Sequence, residues 1–184
     1  MKKMILLILG NLWIGLTRAY DIYCTYEFTP DLDREANPLV TILGIKDWSI
    51  LLAIIVPLIL YSMYCWYDQL YRFQWQISDQ VASFEDFFTL NYFGERTRWF
   101  KVLYSFPLSL RQNHRLATIF LPPALMLAGV MSTLMWMGIR SPWDWYASIH
   151  SPWLIWTMLT VGTFIIFYIR MKMAYRQFLF KTID

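Results

Sequence analysis

Four stretches of this chain are apolar over a length that suits little else than a helix crossing a lipid bilayer, and they constrain everything between them. They run approximately from Met4 to Thr25, Trp48 to Tyr67, Leu116 to Ile139 and Pro152 to Ile169. A hydrocarbon core is spanned by roughly 20 helical residues at about 1.5 Å rise each. An unpaired backbone N–H or C=O in lipid costs several kcal/mol, and a helix satisfies both within itself. The alternating segments of roughly ten residues that mark a membrane barrel are absent. The expected fold is therefore all-α: a polytopic membrane protein, a bundle of four transmembrane helices in a single domain over residues 1–184, with short interfacial helices in the loops.

Composition agrees with this. Charged residues make up 16% of the 184 positions, against about 25% in soluble domains. Aromatics reach 19% with 10 Trp and 12 Tyr, rings that settle where lipid meets water. Lys2, Lys3 and the run MILLILG resemble a signal peptide, but no small-x-small cleavage site follows, so a retained first span is expected.

Basic residues orient the spans. Twelve of the sixteen flank one side: Lys2 and Lys3, six between Arg72 and Arg115, and four from Arg170 to Lys181. Arg34, Lys46 and Arg140 lie on the other side, and Arg18 is inside the first span. The expectation is a multi-pass protein of the cell's inner membrane with both termini cytoplasmic. These charges are spread along the flanks rather than gathered into a patch, so no nucleic-acid partner is expected. Cys24 and Cys65 fall near opposite ends of their spans, about 30 Å apart across the bilayer and beyond disulfide reach. His114 and His150 fall on opposite sides, which rules out a two-histidine metal site within one chain.

The loops carry helix-start signals. Thr29-Pro30, Asn37-Pro38, Ser141-Pro142 and Ser151-Pro152 each pair a capping residue with proline at the first helical position. They predict short helices from Pro30 to Ala36, from Pro38 to Leu43 before Gly44, and from Pro142 to Ser148, with the fourth span starting at Pro152. Residues 68–115 form a long amphipathic segment, expected on the cytoplasmic side. In it the second span continues through YDQLYRFQW, and Ser83 with Asp86 caps a helix FEDFFTLNYF closed by Gly94. GERTRWFKVLYSF then has the composition of an interfacial helix on anionic lipid, with packing against the protein or against a partner as alternatives. Ala124, Ala128 and Ser132 form a ladder of small residues suited to close helix packing, within the bundle or in a homo-oligomer. Pro57, Pro122 and Pro123 are expected to bend their helices.

At 100° per residue, Asn11, Gly15, Arg18, Asp21 and Thr25 share one face of the first span. Charges in hydrocarbon cost at least about 2.5 kcal/mol each, so Arg18 and Asp21, at i and i+3, should pair and face protein or water. One reading is a neutralised pair that fixes helix rotation. The sharper reading folds the following loop down so that Asp21, Glu35 and Asn37 converge, giving oxygen donors for a divalent cation or polar head group, or an acid and a base. Asn37 as an N-cap, with acids in a first helical turn, explains the same residues without a ligand.

The arrangement Asp21-x-x-x-Thr25, a loop, then Glu35-x-Asn37-Pro38-Leu39 resembles the DxxxT…ExNPL pattern of small prokaryotic polytopic membrane proteins of uncharacterised function. The likeness covers about 20 residues of the first span and its loop. The long connection over residues 68–115 departs from those shorter proteins. The resemblance implies a site in this region and no particular reaction.

Three functions remain open. The first is a binding or accessory module with a ligand site at Arg18, Asp21, Thr25, Glu35 and Asn37 on the extracytoplasmic side, its partners being membrane lipids and a protein or second copy. The second is an enzyme acting on a lipid-borne substrate through Asp21 and Glu35, with His150 as a donor. A transporter is third, since the second and third spans offer no intramembrane charge to extend a path.

Overall fold

The computed structural model describes residues 1–33, 35, 37–75, 81, 83–107, 109–141 and 151–183. Helices account for nearly all of the regular structure: α1 (Lys2–Phe28), α2 (Pro38–Thr41), α3 (Trp48–Tyr71), α4 (Phe84–Phe93), a 3-10 turn (Trp99–Leu103), α5 (Leu110–Arg140) and α6 (Pro152–Ile183). Among the described residues α1, α3, α5 and α6 are long and apolar enough to cross a membrane. The chain is thus a multi-pass four-helix membrane protein, and its spans alternate in direction. One end of the bundle carries α2 and the other carries α4.

Helix α5 is the hub. It packs against α1, α3 and α6, α1 also packs against α3, and α6 rests on α5 and α4. Between α1 and α5 the approach is close because Gly129 has no side chain: a Cβ there would collide with Thr17 Oγ1. Gly10 plays the same part against α3, since a Cβ there would meet the Trp66 indole, whose Nε1 donates to the Leu6 carbonyl at 3.1 Å. Phe120 of α5 stacks on Phe167 of α6 with ring centroids 4.0 Å apart. The point of closest approach is Gly129, one position from the Ala124–Ala128–Ser132 ladder.

Pro122 and Pro123 lie inside α5 and have no N–H to offer the carbonyls four residues back. Both of those carbonyls are taken by neighbouring helices. Gln69 Nε2 of α3 donates to Thr118 O at 3.1 Å, and Arg170 Nη1 of α6 donates to Ile119 O at 3.4 Å.

At the α4 end a compact apolar core joins three helices through Phe87, Tyr92, Leu116, Ile119, Phe167 and Met171. Helix α4 matches its sequence expectation. Ser83 and Asp86 form a reciprocal capping box, and Gly94 ends the helix in the left-handed region at φ +82°. The last carbonyls of α4 would be orphaned, but Gln112 of α5 donates Nε2 to Asn91 O at 2.6 Å and to Tyr92 O at 2.8 Å.

Several expectations are corrected. Between Thr29 and Asp33 the chain makes turns instead of a helix: the Asp31 carboxylate accepts from Thr29 Oγ1 and from Asp33 N, and Leu32 has φ +62°. A short acid that bonds to nearby backbone offers an alternative to the helical ladder. Helix α2 stops at Thr41, and Gly44 follows at φ +70°. Helix α3 ends at Tyr71 rather than running through Trp75, whereas α5 begins six residues earlier than expected, and α6 continues to Ile183. GERTRWFKVLYSF holds one 3-10 turn instead of a helix, its leading amides tied to α4 through Thr97 N to Thr89 Oγ1 and Trp99 N to Glu85 Oε1. The segments 142–148 and 34, 36 lie outside the described residues.

Candidate functional site

Asp21 lies on the face of α1 turned to α5, one helical turn beyond Arg18. Its Oδ2 accepts from Arg18 Nη1 at 3.2 Å, and its Oδ1 accepts from Trp136 Nε1 at 2.8 Å. Arg18 in turn donates Nη2 to Ser132 Oγ at 2.6 Å. The Arg18 side chain is 13% exposed and that of Asp21 26%, so the pair is largely withdrawn from its surroundings. Phe28 sets its edge against Trp136, with centroids 5.7 Å apart, and covers the indole from the α2 end.

Below this latch Thr17 and Thr25 are buried. Thr25 O accepts from Thr29 N at 2.8 Å where α1 ends. Asn11 Oδ1 and Arg18 Nε are buried atoms without a hydrogen-bond partner. The stripe expected from the helical spacing is therefore present, and it is turned inward.

The loop residues engage a different set of partners. Glu35 Oε1 accepts from Asn37 N at 2.8 Å, and Asn37 Oδ1 accepts from Leu39 N at 3.0 Å, capping α2. The loop is anchored by a small apolar core of Leu32, Val40 and Leu51 and by Trp48 Nε1 donating to Pro30 O at 2.8 Å. Lys46 pairs with Asp33 at 2.7 Å, and this hydrogen bond holds the ammonium above its ordinary range. Arg140 pairs with Glu27 at 2.6 Å, and Tyr23 donates to the same Glu27 carboxylate.

The structure thus joins Arg18 and Asp21 to Ser132 and Trp136, and joins Glu35 to Asn37. His150 lies outside the described residues. Among the described residues no three His, Cys, Asp or Glu side chains gather where a metal ion could be held. Through Trp136, and by way of Arg18 through Ser132, the Asp21 carboxylate ties α1 to α5.

Sequence reasoning missed a second polar cluster at the α4 end. His114 of α5 sits with Nδ1 2.9 Å from the Tyr61 hydroxyl and Nε2 3.6 Å from Asp68 Oδ2. Tyr64 stacks on the imidazole at 5.8 Å. The signal was available in α3, where Tyr61, Tyr64 and Asp68 recur at i, i+3 and i+7 on one face, but nothing in the sequence says which helix that face meets. An apolar groove of about 290 Å³ also opens between α5 and α6, lined by Phe120, Leu159, Thr160, Thr163 and Phe164. Both cysteines are free and buried.

Comparison with protein-family models, with curated proteins and with solved structures finds no match for this chain.

Proposed function

We propose that the chain is a non-catalytic integral membrane module, a binding or accessory subunit whose polar latch at the α2 end of α1 sets the shape of the surface it presents. One observation carries this reading: both oxygens of Asp21 accept from donors of the same chain, Arg18 and Trp136. Each oxygen keeps a second lone pair, but both are held in the orientation that ties α1 to α5, and among the described residues no group of three His, Cys, Asp or Glu side chains could hold a metal ion. Purification of the full chain in mild detergent tests the proposal. A stoichiometric partner or a defined oligomer is expected, and a well-behaved unliganded monomer would overturn it.

The placement in the cell is part of the same proposal. Twelve of the sixteen basic residues flank the α4 end, which supports cytoplasmic termini, an extracytoplasmic α2 end and residence in a bacterial inner membrane. Reporter fusions at the two ends of the chain should both read as cytoplasmic. The resemblance of Asp21-x-x-x-Thr25 and Glu35-x-Asn37-Pro38-Leu39 to the small prokaryotic membrane proteins described above supports the same assignment.

A second reading is favoured by Arg18 Nε, a buried donor with no acceptor. That N–H could hold an anionic group of a lipid-borne substrate, with Asp21 and Glu35 as the reacting carboxylates. The double variant Asp21→Asn, Glu35→Gln separates the two. If cells carrying it keep every phenotype of the wild type, the enzymatic reading is finished.

A further inference from the structure

The two ends of the bundle treat their cations differently. At the α2 end each described basic side chain is in an ion pair: Arg18 with Asp21, Lys46 with Asp33, and Arg140 with Glu27. At the α4 end, among the described residues, Lys101 alone pairs with a carboxylate, that of Glu95 at 3.0 Å. Other acids there serve other donors: Glu85 accepts from Trp99 N, Asp86 closes the α4 capping box, and Asp68 faces His114.

Five of the other cations at the α4 end lie over aromatic faces. Lys3 lies over Tyr71, Arg72 over Tyr67, Arg98 over Phe100, Arg115 over Phe73 and Lys172 over Tyr168, at 5.1 to 5.8 Å from the ring centroids. A ring face attracts a cation without neutralising its charge. Arg115 also donates to Gln74 O at 2.9 Å, whereas Arg98, over Phe100, is exposed.

One segment at this end is also built to sit in an interface. Trp99, Phe100, Tyr104, Phe106 and Leu110 are 56%, 40%, 72%, 76% and 86% exposed, within twelve positions that begin just after α4. Arg96 and Arg98 precede them and Arg111 follows, all three exposed. Ser109 leads into α5, and the six residues from Leu110 to Leu116 advance about 9 Å along the helix. Leu116 is already in the apolar core. Amphipathic segments ride about 5–10 Å into the headgroup boundary, a depth at which exposed rings meet acyl carbons and guanidinium groups meet phosphates.

We propose that residues 96–107 and 109–111 form a docking surface for anionic phospholipid headgroups of the membrane the chain itself spans, with Arg96, Arg98 and Arg111 binding lipid phosphate and the intervening rings seated among the upper acyl carbons. Charge complementarity selects this occupant: the protein supplies unneutralised cations beside exposed rings, and an anionic leaflet supplies phosphates at the matching depth. The proposal is independent of what the Asp21 latch does and of which side of the membrane the α4 end faces.

Hydrogen exchange of the full chain in lipid nanodiscs tests it. Amides of Trp99–Leu103 should exchange at least about fivefold more slowly in discs containing phosphatidylglycerol than in pure phosphatidylcholine discs, each basic residue near an anionic surface contributing about that factor. The difference should vanish in 1 M salt, where the Debye length falls to about 3 Å. It should also vanish in the triple variant R96Q/R98Q/R111Q, while the amides of 116–138 keep their wild-type protection and report an intact fold. Equal exchange in the two disc types overturns the proposal on wild-type protein alone. Protection that is the same in both lipids and insensitive to salt would mean that protein, and not lipid, covers the segment, and overturns it as well.

Discussion

Gly129 is the residue on which the packing of α1 against α5 turns. Because a Cβ there would run into Thr17 Oγ1, Gly129→Ala should push the helices apart and cost about 1–3 kcal/mol, the usual price of overpacking. Thr17→Ala removes the obstructing hydroxyl and should recover most of that loss; thermal unfolding in detergent of the two single variants and the double checks this. The latch beside it makes a sharper prediction. Asp21→Asn leaves the Arg18 guanidinium, 13% exposed, without its counter-charge, and breaking one side of a buried pair costs about 3–5 kcal/mol. Trp136→Phe removes only an indole donor and should cost about 1 kcal/mol. If both substitutions have equal effects on melting, the ion pair is not what holds α1 in place. Arg18 and Asp21 were legible in the sequence because helical spacing puts them on one face. Ser132 and Trp136 were not, since they lie more than a hundred positions away and only tertiary packing brings them near. Glu35 and Asn37 illustrate the other limit. The sequence supports both a cap and a converging site, and the hydrogen bonds to Asn37 N and Leu39 N give the residues a capping role.

At the scale of elements, the best-read helix was α4, whose start and stop are both encoded in local chemistry, Ser83 with Asp86 at one end and Gly94 at the other. Helices α3 and α5 were read correctly in their apolar parts and misjudged at their α4 ends, where polar residues reach partners that no periodicity shows. Gln69 and Gln112 are the clearest cases, each closing carbonyls of another helix. Gln69→Leu should leave Thr118 O bare in the bundle and cost about 1–3 kcal/mol. In a Pro122→Ala background, position 122 regains an N–H for that carbonyl, so the same Gln69→Leu change should cost clearly less. A double-mutant cycle that shows strict additivity would refute this account of the proline pair. Tyr92, in the core beneath α4, adds a pH signature. Burial pushes its phenol above the ordinary range, so the folded state favours the neutral form. Stability is intact below the unfolded value near pH 10 and is lost as pH rises toward the folded value; tyrosinate absorbance against unfolding midpoint would register it.

For the molecule as a whole, four spans were evident from apolar length, but their arrangement was not. Three of them, α1, α3 and α5, contact one another, and α6 rests on α5 and α4. Phe167, 4% exposed and stacked on Phe120, is the main apolar tie of that flank. Phe167→Ala should cost about 3–5 kcal/mol and loosen α6 selectively, seen as faster amide exchange in 153–175 with little change in α1. Uniform loosening of all four spans would show a single cooperative bundle instead.

The proline pair of α5 also bears on how the molecule is made. Thr118 O and Ile119 O are satisfied by Gln69, which precedes them in the chain, and by Arg170, which follows. During synthesis the first carbonyl can be closed as soon as α5 meets α3, whereas the second must wait until the ribosome has delivered α6 as far as Arg170. Until then α5 carries an unfilled polar notch at Ile119 O, so the contact with α6 closes the proline pair last.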